Sequence, residues 1–544
     1  MRNNSSNFVK QLIGDRPIRK VETVDKYLAK NEIWQEAVAR VLLTGILKNQ
    51  FYRSTDDAAK EALPLFISAA KKDPMFLLKA AAFARNSHMK GMVKVALAAV
   101  NGQASEDFLT REIVRKGAIG ILKTFHPGQL IQFVELCKSK AFGRGFGSRP
   151  QKWVRSAMET WHPNKLEMYT LKYPQALNQL VRLVHPRYNT KHYSMSKGYD
   201  VRGGIVKYVL DGKKEPVGRR QAVVEELKRL PKEAGAQKII ATAMIDHDIP
   251  WDVIKGFAGM SGPIAIACLS QMNLTSLLRN LQSLNRFGVF NNPRAVEALK
   301  MKMQEVQNGR SIPLDFAKPY IHCTDAGVKE VLLQAMADTL DVPMPAIENK
   351  RVGVSIDISG SMSGEPLKTA GLLAVPFLKA KKLWFTTFDT SLYEEGTSRS
   401  ACYYSPYHSN RGKTTLCPKL KGQRRIDQVK NLLDLRTNGG TNVAISLEQA
   451  IRNKRKLDVH VLITDEQQNS GESPLRSVWQ RYKAKVNPNA QLWVINATNY
   501  EWHSADLGDP SVVIYQSMTP AIFHNLEYAG ENLTKAISEF RLDG

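Results

Sequence analysis

Residues 357–364, Asp-Ile-Ser-Gly-Ser-Met-Ser-Gly, constrain the fold of this chain more than any other segment. They follow directly on the largely apolar run Val352–Ile356, which predicts a buried strand. Asp357, Ser359 and Ser361 occupy alternate positions of the loop that leaves this strand, so a turning backbone brings one carboxylate and two hydroxyls to the same side. Hard cations such as Mg²⁺ take oxygen ligands and keep several waters, so they need few protein groups. The loop therefore predicts a cation site at a strand end.

Two later segments supply further oxygen ligands. Asn438-Gly-Gly-Thr-Asn442 opens a helical stretch, and the predicted strand Val459–Thr464 delivers Asp465 at its end. A D-x-S-x-S loop, then GGT, then a strand-terminal Asp resembles the metal-ion-dependent adhesion site of von Willebrand factor A domains. The resemblance implies a divalent cation, expected to be Mg²⁺, with one coordination position left for a partner's carboxylate. The implied ligands are Asp357, Ser359, Ser361, Thr441 and Asp465. The alternative is a loop without metal, in which Asp357 only caps a helix.

Residues 351–544 alternate apolar runs of strand length with amphipathic stretches, which predicts an open α/β sheet of the Rossmann-like kind. Sites in such sheets form outside the carboxyl ends of the strands. The predicted strands are Val352–Asp357, Leu383–Phe388, Val459–Thr464, Leu492–Asn496 and Val512–Tyr515, and the predicted helices are Pro366–Ala380, Asp427–Leu435, Val443–Asn453, Pro474–Tyr482 and Glu531–Phe540. Residues 395–426 are rich in Ser, Tyr, Lys and Arg and show little periodicity. We interpret them as a solvated insertion, the alternative being a loop that stacks on RNA.

Residues 1–350 are predicted to form a separate domain, because 544 residues exceed what one core normally holds. Apolar residues recur there at spacings of three and four, separated by short Pro, Gly or Asp breaks, which indicates successive helices. The clearest runs are Ile33–Leu47, Asp57–Lys71, Pro74–Asn86, Met92–Val100, Phe108–Thr124, Gln129–Cys137, Arg219–Leu230, Ala236–Asp246 and Asn273–Leu284. Helices of this length with short connections favour a HEAT-like solenoid of antiparallel pairs.

The excess positive charge lies in this helical region. The net charge is +26, and residues 351–544 hold 24 Lys and Arg against 19 Asp and Glu, which leaves +21 for residues 1–350. A field of this size attracts polyanions, of which nucleic acid is the most common. No apolar run approaches the roughly 20 residues that a membrane span requires, no amino-terminal signal core is evident, and five scattered cysteines form no disulfide framework. We expect a cytoplasmic protein without membrane contact.

The helical region also carries a family resemblance. Gly143–Trp161, Leu171–Tyr173, Arg182–Arg187, Asp246–Trp251 and Leu274–Leu281 resemble the TROVE module of the Ro autoantigen and of telomerase- and vault-associated proteins. A TROVE region followed by a von Willebrand A domain is the arrangement of Ro proteins, including the bacterial Rsr-type members. The resemblance implies a monomeric ring of helical repeats, closed by the A domain, that binds small non-coding Y-like RNAs on its outer surface. It also implies that single-stranded ends of misfolded RNAs enter the central hole, and that an exoribonuclease is a partner.

The family's RNA-contacting Lys and His match Lys172 and His185. The residues themselves add a basic, partly aromatic segment, since RNA recognition relies on phosphate contacts and on bases stacked on rings or guanidinium planes. Arg144, Arg149, Lys152 and Arg155 lie in a Gly-rich loop that enters a helix, and Arg182, Arg187, Tyr188, Lys191, His192 and Tyr193 surround a predicted helix end. For any single Lys or Arg the alternative is a solvated helix face, and for His185 it is a packed side chain.

No catalytic group competes with this interpretation, so we predict that the protein is not an enzyme. Asp246-His-Asp248 and His322-Cys323 are the nearest approaches to a hydrolytic site, but adjacent side chains point apart and no orienting partner is evident. The favoured function is RNA binding in quality control or stability. The alternative is a protein-adhesion scaffold whose A-domain metal binds an acidic partner.

Overall fold

A computed structural model provides the coordinates. It describes residues 34–44, 55–86, 91–103, 108–188, 201–212, 216–230, 233–260, 262–304, 313–341, 345–400, 413–465, 471, 473–497, 509, 511–515 and 533–542.

The first part of the described chain is helical. Ten helices share one apolar core: α1 (Trp34–Thr44), α2 (Thr55–Lys72), α3 (Pro74–Asn86), α4 (Val93–Gly102), α5 (Phe108–Leu122), α6 (Pro127–Lys138), α7 (Ser148–Glu159), α8 (Pro163–Lys172), α9 (Pro174–Val184) and α10 (Val201–Leu210). Helices two places apart contact each other, as α3 does α5 and α5 does α7. This is the stacking of a helical-repeat array, in which each helix buries its apolar face on its neighbours.

A second set of helices continues the array: α11 (Arg219–Leu227), α12 (Ala234–Asp246), α13 (Trp251–Ala258), α14 (Gly262–Gln271), α15 (Leu274–Arg286), α16 (Pro293–Met303), α17 (Ala317–His322), α18 (Ala326–Asp338) and α19 (Pro345–Glu348). The even-numbered helices α12, α14, α16 and α18 again pack in succession. Their core is continuous with one face of the following sheet, because Leu332 and Met336 belong to the same buried cluster as Val352 and Val461. None of the described helices is long and apolar enough to cross a membrane.

The carboxyl-terminal part is built on a six-stranded sheet. Its strands are β1 (Arg351–Asp357), β2 (Lys382–Phe388), β3 (Leu392–Glu394), β6 (Val459–Thr464), β7 (Gln491–Asn496) and β8 (Val512–Tyr515), in the order β3-β2-β1-β6-β7-β8. All neighbours are parallel except the antiparallel edge pair β2–β3. The helices of this part are α20 (Glu365–Ala374), α21 (Arg425–Leu433), α22 (Ile445–Arg452) and α23 (Leu475–Lys485).

Alternation along the strands explains the two layers of helices. Val459, Val461 and Ile463 of β6 face the core that includes α20 and α21, whereas Leu462 faces the core formed with α22 and α23. Successive strand residues point to opposite faces, so a strand buried on both sides is apolar throughout. The helical region followed by a Rossmann-like A domain confirms the predicted fold class.

The stretch 395–426 contains more structure than predicted. Strands β4 (Ser398–Ser400) and β5 (Lys413–Thr415) form an antiparallel ribbon, and Leu416, Cys417 and Leu420 are buried. The prediction of a solvated insertion is therefore wrong for its carboxyl-terminal part, because these three apolar residues anchor that part to the A-domain core. Its central residues 401–412, which include the tyrosines, lie outside the described part of the chain.

The last helix, α24 (Leu533–Glu539), returns to the first helices. It packs on α1 and α3, Ile537 is fully buried in the amino-terminal core, and the Phe540 ring meets Phe83 edge-on with centroids 5.6 Å apart. Lys79 donates a hydrogen bond to the Ser538 carbonyl. The end of the chain thus reconnects the A domain with the start of the helical array.

Candidate metal centre and nucleic-acid interface

The predicted cation ligands meet at the carboxyl ends of β1 and β6. Asp357 ends β1, Asp465 follows β6, and both carboxylates are completely buried, while Ser359 and Thr441 are 1% exposed. The Ser359 and Ser361 hydroxyls are 3.1 Å apart. Parallel pairing of β1 with β6 aligns the two strand ends, which explains why residues about a hundred positions apart share one site.

Hydrogen bonds hold the Asp357 carboxylate in place. Thr464 donates to Oδ2 over 2.6 Å and the Ser359 backbone N–H donates to Oδ1 over 2.9 Å. Burial raises the pKa of Asp357 to about 7, these hydrogen bonds lower it, and the charge of Asp465 raises it further. Two carboxylates that repel each other in a buried pocket beside hydroxyls form a donor set that fits a hard divalent cation.

A third buried acid, Asp389, which the sequence reasoning missed, fixes the loop that carries Thr441. Its carboxylate accepts hydrogen bonds from Ser391 N–H, from the Tyr393 hydroxyl and from the Asn438 side-chain amide. Its carbonyl accepts from Asn442 N–H over 2.8 Å. No sequence signal marked Asp389, because its partners come from both sides of the 395–426 stretch.

Gly439 shows why this loop contains glycine. Its φ of +57° lies in the left-handed region, and a Cβ there would come within 2.7 Å of an Asp389 carboxylate oxygen. Its carbonyl accepts from Gly360 N–H over 3.1 Å. The loop is therefore held directly against the loop that begins at Asp357.

Three of the predicted basic residues lie along α7, where Arg149, Lys152 and Arg155 recur every three residues. Two clefts meet at the amino-terminal end of this helix and share Ser148 and Arg149. One, of about 250 Å³, is lined also by Arg111 and Lys152, and the other, of about 480 Å³, also by Arg144.

Basic residues outnumber acidic ones in the lining of these clefts, where the acidic Glu112 pairs with Arg115. Burial lowers the pKa of Arg149, and the charges of Arg144 and Arg111 lower it further. Three guanidinium groups that repel one another favour a polyanion between them. Arg111, on α5, was not among the predicted residues, because only the tertiary fold brings it to α7.

At the other end of α7, Arg155 links this helix to α9. Its Nε donates to the Val184 carbonyl over 2.6 Å, next to His185, and the Arg187 backbone N–H donates to Glu159 over 2.8 Å. His185 is exposed and has a φ of +46°, which ends α9 in a left-handed turn. The side chain of Arg155 is thus engaged in the fold, while His185 and Arg187 are exposed at the surface.

Lys172 and Arg182 also have partners within the chain. Lys172, half-buried at the end of α8, lies 3.2 Å from an Asp252 carboxylate oxygen of α13, and Arg182 donates to Asn178 over 2.7 Å. Lys172 must exchange this partner to bind a phosphate. Tyr188 donates to the Met158 carbonyl and is buried, whereas Lys191, His192 and Tyr193 lie outside the described residues.

Two members of the possible hydrolytic groups, Asp248 and Cys323, have partners within the fold. Asp248 accepts from Arg220 over 2.9 Å, and burial raises the pKa of the Cys323 thiol. Across the described ranges, no three His, Cys, Asp or Glu residues are grouped so as to hold a metal ion. The set predicted around Asp357 contains two carboxylates, and its other three members are hydroxyl-bearing residues.

Comparisons with known proteins agree with this architecture. Residues 351–518 match the family model described as the Ro60 vWA domain. The chain is 23% identical over 461 residues to the RNA-binding protein RO60 of Deinococcus radiodurans, which covers 80% of this chain and 77% of that protein. It is 22% identical over 465 residues to the RNA-binding protein RO60 of Caenorhabditis elegans, covering 73% and 70% respectively.

The crystal structure of the Deinococcus radiodurans Ro (Rsr) protein has the same fold. It superimposes with a TM-score of 0.70 at 18% identity and covers 91% of this chain and 100% of that one. The predicted resemblance to the Ro family is confirmed.

Proposed function

We propose that this Ro-like protein binds RNA through the basic surface along α7. The observation that carries the proposal is the pair of clefts that meet at Arg149, where Arg111, Arg144 and Lys152 supply further positive charge. Phosphate contacts dominate the affinity of nucleic-acid complexes and make them sensitive to salt. The names of the two relatives, RNA-binding protein RO60, support RNA as the polyanion.

The finer proposal follows the family resemblance. Small non-coding Y-like RNAs bind the outer surface near Lys172, His185 and Arg187, and single-stranded ends of misfolded RNAs enter the centre of a monomeric ring. The contact of α24 with α1 and α3 supports such closure, because it joins the two ends of the described chain. An exoribonuclease in the cytoplasm then receives the bound RNA.

The decisive experiment is filter binding of a structured small RNA at several salt concentrations. The double variant Arg149→Gln/Lys152→Gln removes two charges at the junction of the clefts. We expect it to weaken binding at least tenfold and to flatten the dependence of log affinity on log salt by about 0.9 per lost phosphate contact. Lys430→Gln, an exposed α21 lysine of the A domain, is the matched control. Equal affinity and slope for the double variant and the control would refute the proposed surface.

The buried acids at the carboxyl ends of β1 and β6 favour metal-dependent binding of a protein as a second role. We propose that Asp357, Ser359, Ser361, Thr441 and Asp465 hold Mg²⁺, which recruits a carboxylate of a protein partner. Affinity purification with wild type and Asp357→Ala, in Mg²⁺ and in EDTA, tests this role. We expect the same partner to be lost on metal removal and in the variant while RNA binding persists. Retention of every partner under both conditions would refute it.

A further inference from the structure

A second group of cations and aromatic rings, which we call the recess, comes from α3, α4, α8 and the start of α6 and does not belong to the α7 surface. Arg85 lies in the last turn of α3, Lys94 in the first turn of α4, and Lys165 and Tyr169 on α8. Tyr173 follows α8 and extends the same face, since residues four apart are neighbours on a helix. His126 precedes α6.

The aromatic part of the recess is a stacked pair of rings. His126 and Tyr173 lie nearly parallel, with centroids 4.5 Å apart and an interplanar angle of 6°. Tyr169 meets Tyr173 edge-on at 6.0 Å, and the Lys165 ammonium lies 5.8 Å above the Tyr169 ring. His126, Tyr169 and Tyr173 are only half-buried, so part of this aromatic surface remains accessible. Bases of single-stranded nucleic acids stack on rings of this kind.

The cationic part is held rigidly beside these rings. The Arg85 guanidinium lies 5.3 Å over Phe125 and donates two hydrogen bonds of 2.8 Å to the hydroxyl and the carbonyl of Thr124. Lys94 is 7% exposed and donates to Gln132 over 2.5 Å. Arginine fixed in this way is pre-organised, so it loses little entropy when it binds an anion.

The cations interact unfavourably with one another. Burial lowers the pKa of Lys94 to about 8 and also lowers the pKa of Lys165, and the charge of Arg85 lowers both further. A bound phosphate would relieve this repulsion. The neighbouring positive charges suit the phosphate of a nucleotide, and the accessible aromatic rings suit its base.

We propose that this recess binds one nucleotide of a single RNA strand, with its phosphodiester between Arg85, Lys94 and Lys165 and its base against the aromatic rings. The inference rests on the proposed RNA-binding function and adds a site to it. A single strand is required because a base can reach Tyr169, Tyr173 or His126 only when it is not paired and stacked in a duplex.

Binding of a fluorescent oligouridylate and of a blunt RNA duplex tests the site. The main variant is Lys165→Gln, because Lys165 is exposed and its replacement leaves the core intact. We expect about fivefold weaker binding of the single strand, a salt slope smaller by about 0.7, and unchanged duplex binding. Arg85→Gln should give a larger loss of single-strand binding, and Lys430→Gln serves again as the matched control.

The outcomes separate this inference from the proposed function. If the wild-type protein binds neither RNA, the proposed function fails, and the recess fails with it. If it binds both, but Lys165→Gln and Arg85→Gln behave like the control, only the recess is refuted. Equal losses for duplex and single strand would also refute it. Photocrosslinking with a 4-thiouridine oligonucleotide gives an independent readout, and we expect the crosslink in the peptide that contains Tyr169 and Tyr173.

Discussion

Replacement of the buried Lys94 by Met should stabilise the protein while weakening its affinity for single-stranded RNA. Burial, with a smaller contribution from Arg85, lowers the pKa of Lys94 from 10.5 to about 8. One pKa unit corresponds to about 1.4 kcal/mol, so the protonated lysine destabilises the fold by about 3 kcal/mol at neutral pH. Methionine has a similar length and carries no charge. The proposed nucleotide site accounts for a charge at this buried position.

The lost hydrogen bond offsets part of the gain. Lys94 donates to Gln132, which is half-buried and can bind water instead, so its loss costs about 1 kcal/mol. We therefore expect Lys94→Met to raise the free energy of unfolding by about 2 kcal/mol at pH 7.

The pH dependence follows from the direction of the shift. The unfolded chain holds the Lys94 proton more tightly than the folded chain, so the destabilisation is fully present below pH 8 and disappears as the pH rises towards 10.5. The advantage of the variant should therefore shrink by about 2 kcal/mol between pH 7 and pH 10.

Hydrogen exchange of peptides from α3 and α4, measured in increasing urea at both pH values, reports this local stability. Lys430→Met, at an exposed position, controls for the general effect of pH. A variant that is less stable than wild type at pH 7, or whose gain does not change with pH, would refute the reasoning. If the variant is more stable but binds single-stranded RNA as tightly as the wild type does, the destabilising effect of the buried charge is confirmed. The role of Lys94 in RNA binding is then refuted.

Three further predictions concern other parts of the molecule. Mg²⁺ at a hundred times its Kd should stabilise the wild type by about 2.7 kcal/mol but leave the stability of Asp357→Asn unchanged. The measurement is the melting temperature of each protein in Mg²⁺ and in EDTA. An equal increase in melting temperature for both proteins would contradict this prediction. Glu167 accepts hydrogen bonds from the backbone N–H groups of Arg220 and Gln221 and from the Arg220 guanidinium. Glu167→Gln should therefore destabilise the protein by about 2–3 kcal/mol and lower the urea midpoint of unfolding. An unchanged midpoint would contradict this prediction. Ile537→Ala should cost about 2–4 kcal/mol and speed hydrogen exchange in α1 and α3, whereas unaltered exchange would show that the chain end does not hold these helices.

Much of the A domain was predictable because its signals are local. Val459–Thr464 and Val512–Tyr515 form strands with the predicted bounds, and the other three predicted strands differ by one residue. The positions of the residues predicted to bind metal were accessible to prediction for the same reason, since each follows a strand or opens a helix. The short strands β3, β4 and β5 were missed, because three residues are too few to show a period and only pairing across the sheet or ribbon stabilises them.

The helical region was predictable in kind but less so in detail. The run Pro74–Asn86 matches α3, and the helix entered by the Gly-rich loop is α7. The structural environments of individual basic residues could not be predicted from the sequence. The sequence predicts that Lys172 and Arg155 both contact RNA. In the structure, Lys172 pairs with Asp252 and Arg155 donates a hydrogen bond to the Val184 carbonyl.

The sequence by itself determined the two architectures, the order of the candidate metal ligands and the location of most of the positive charge, because period, turn chemistry and net charge are properties of short segments. Tertiary structure alone decided which distant residues meet. Arg111 joins the α7 clefts, Asp389 supports the Thr441 loop, and the charge of Arg85 acts on both Lys94 and Lys165, of which Lys165 lies over the Tyr169 ring. These encounters depend on how helices and strands pack, and nothing in the spacing of the residues along the chain encodes them.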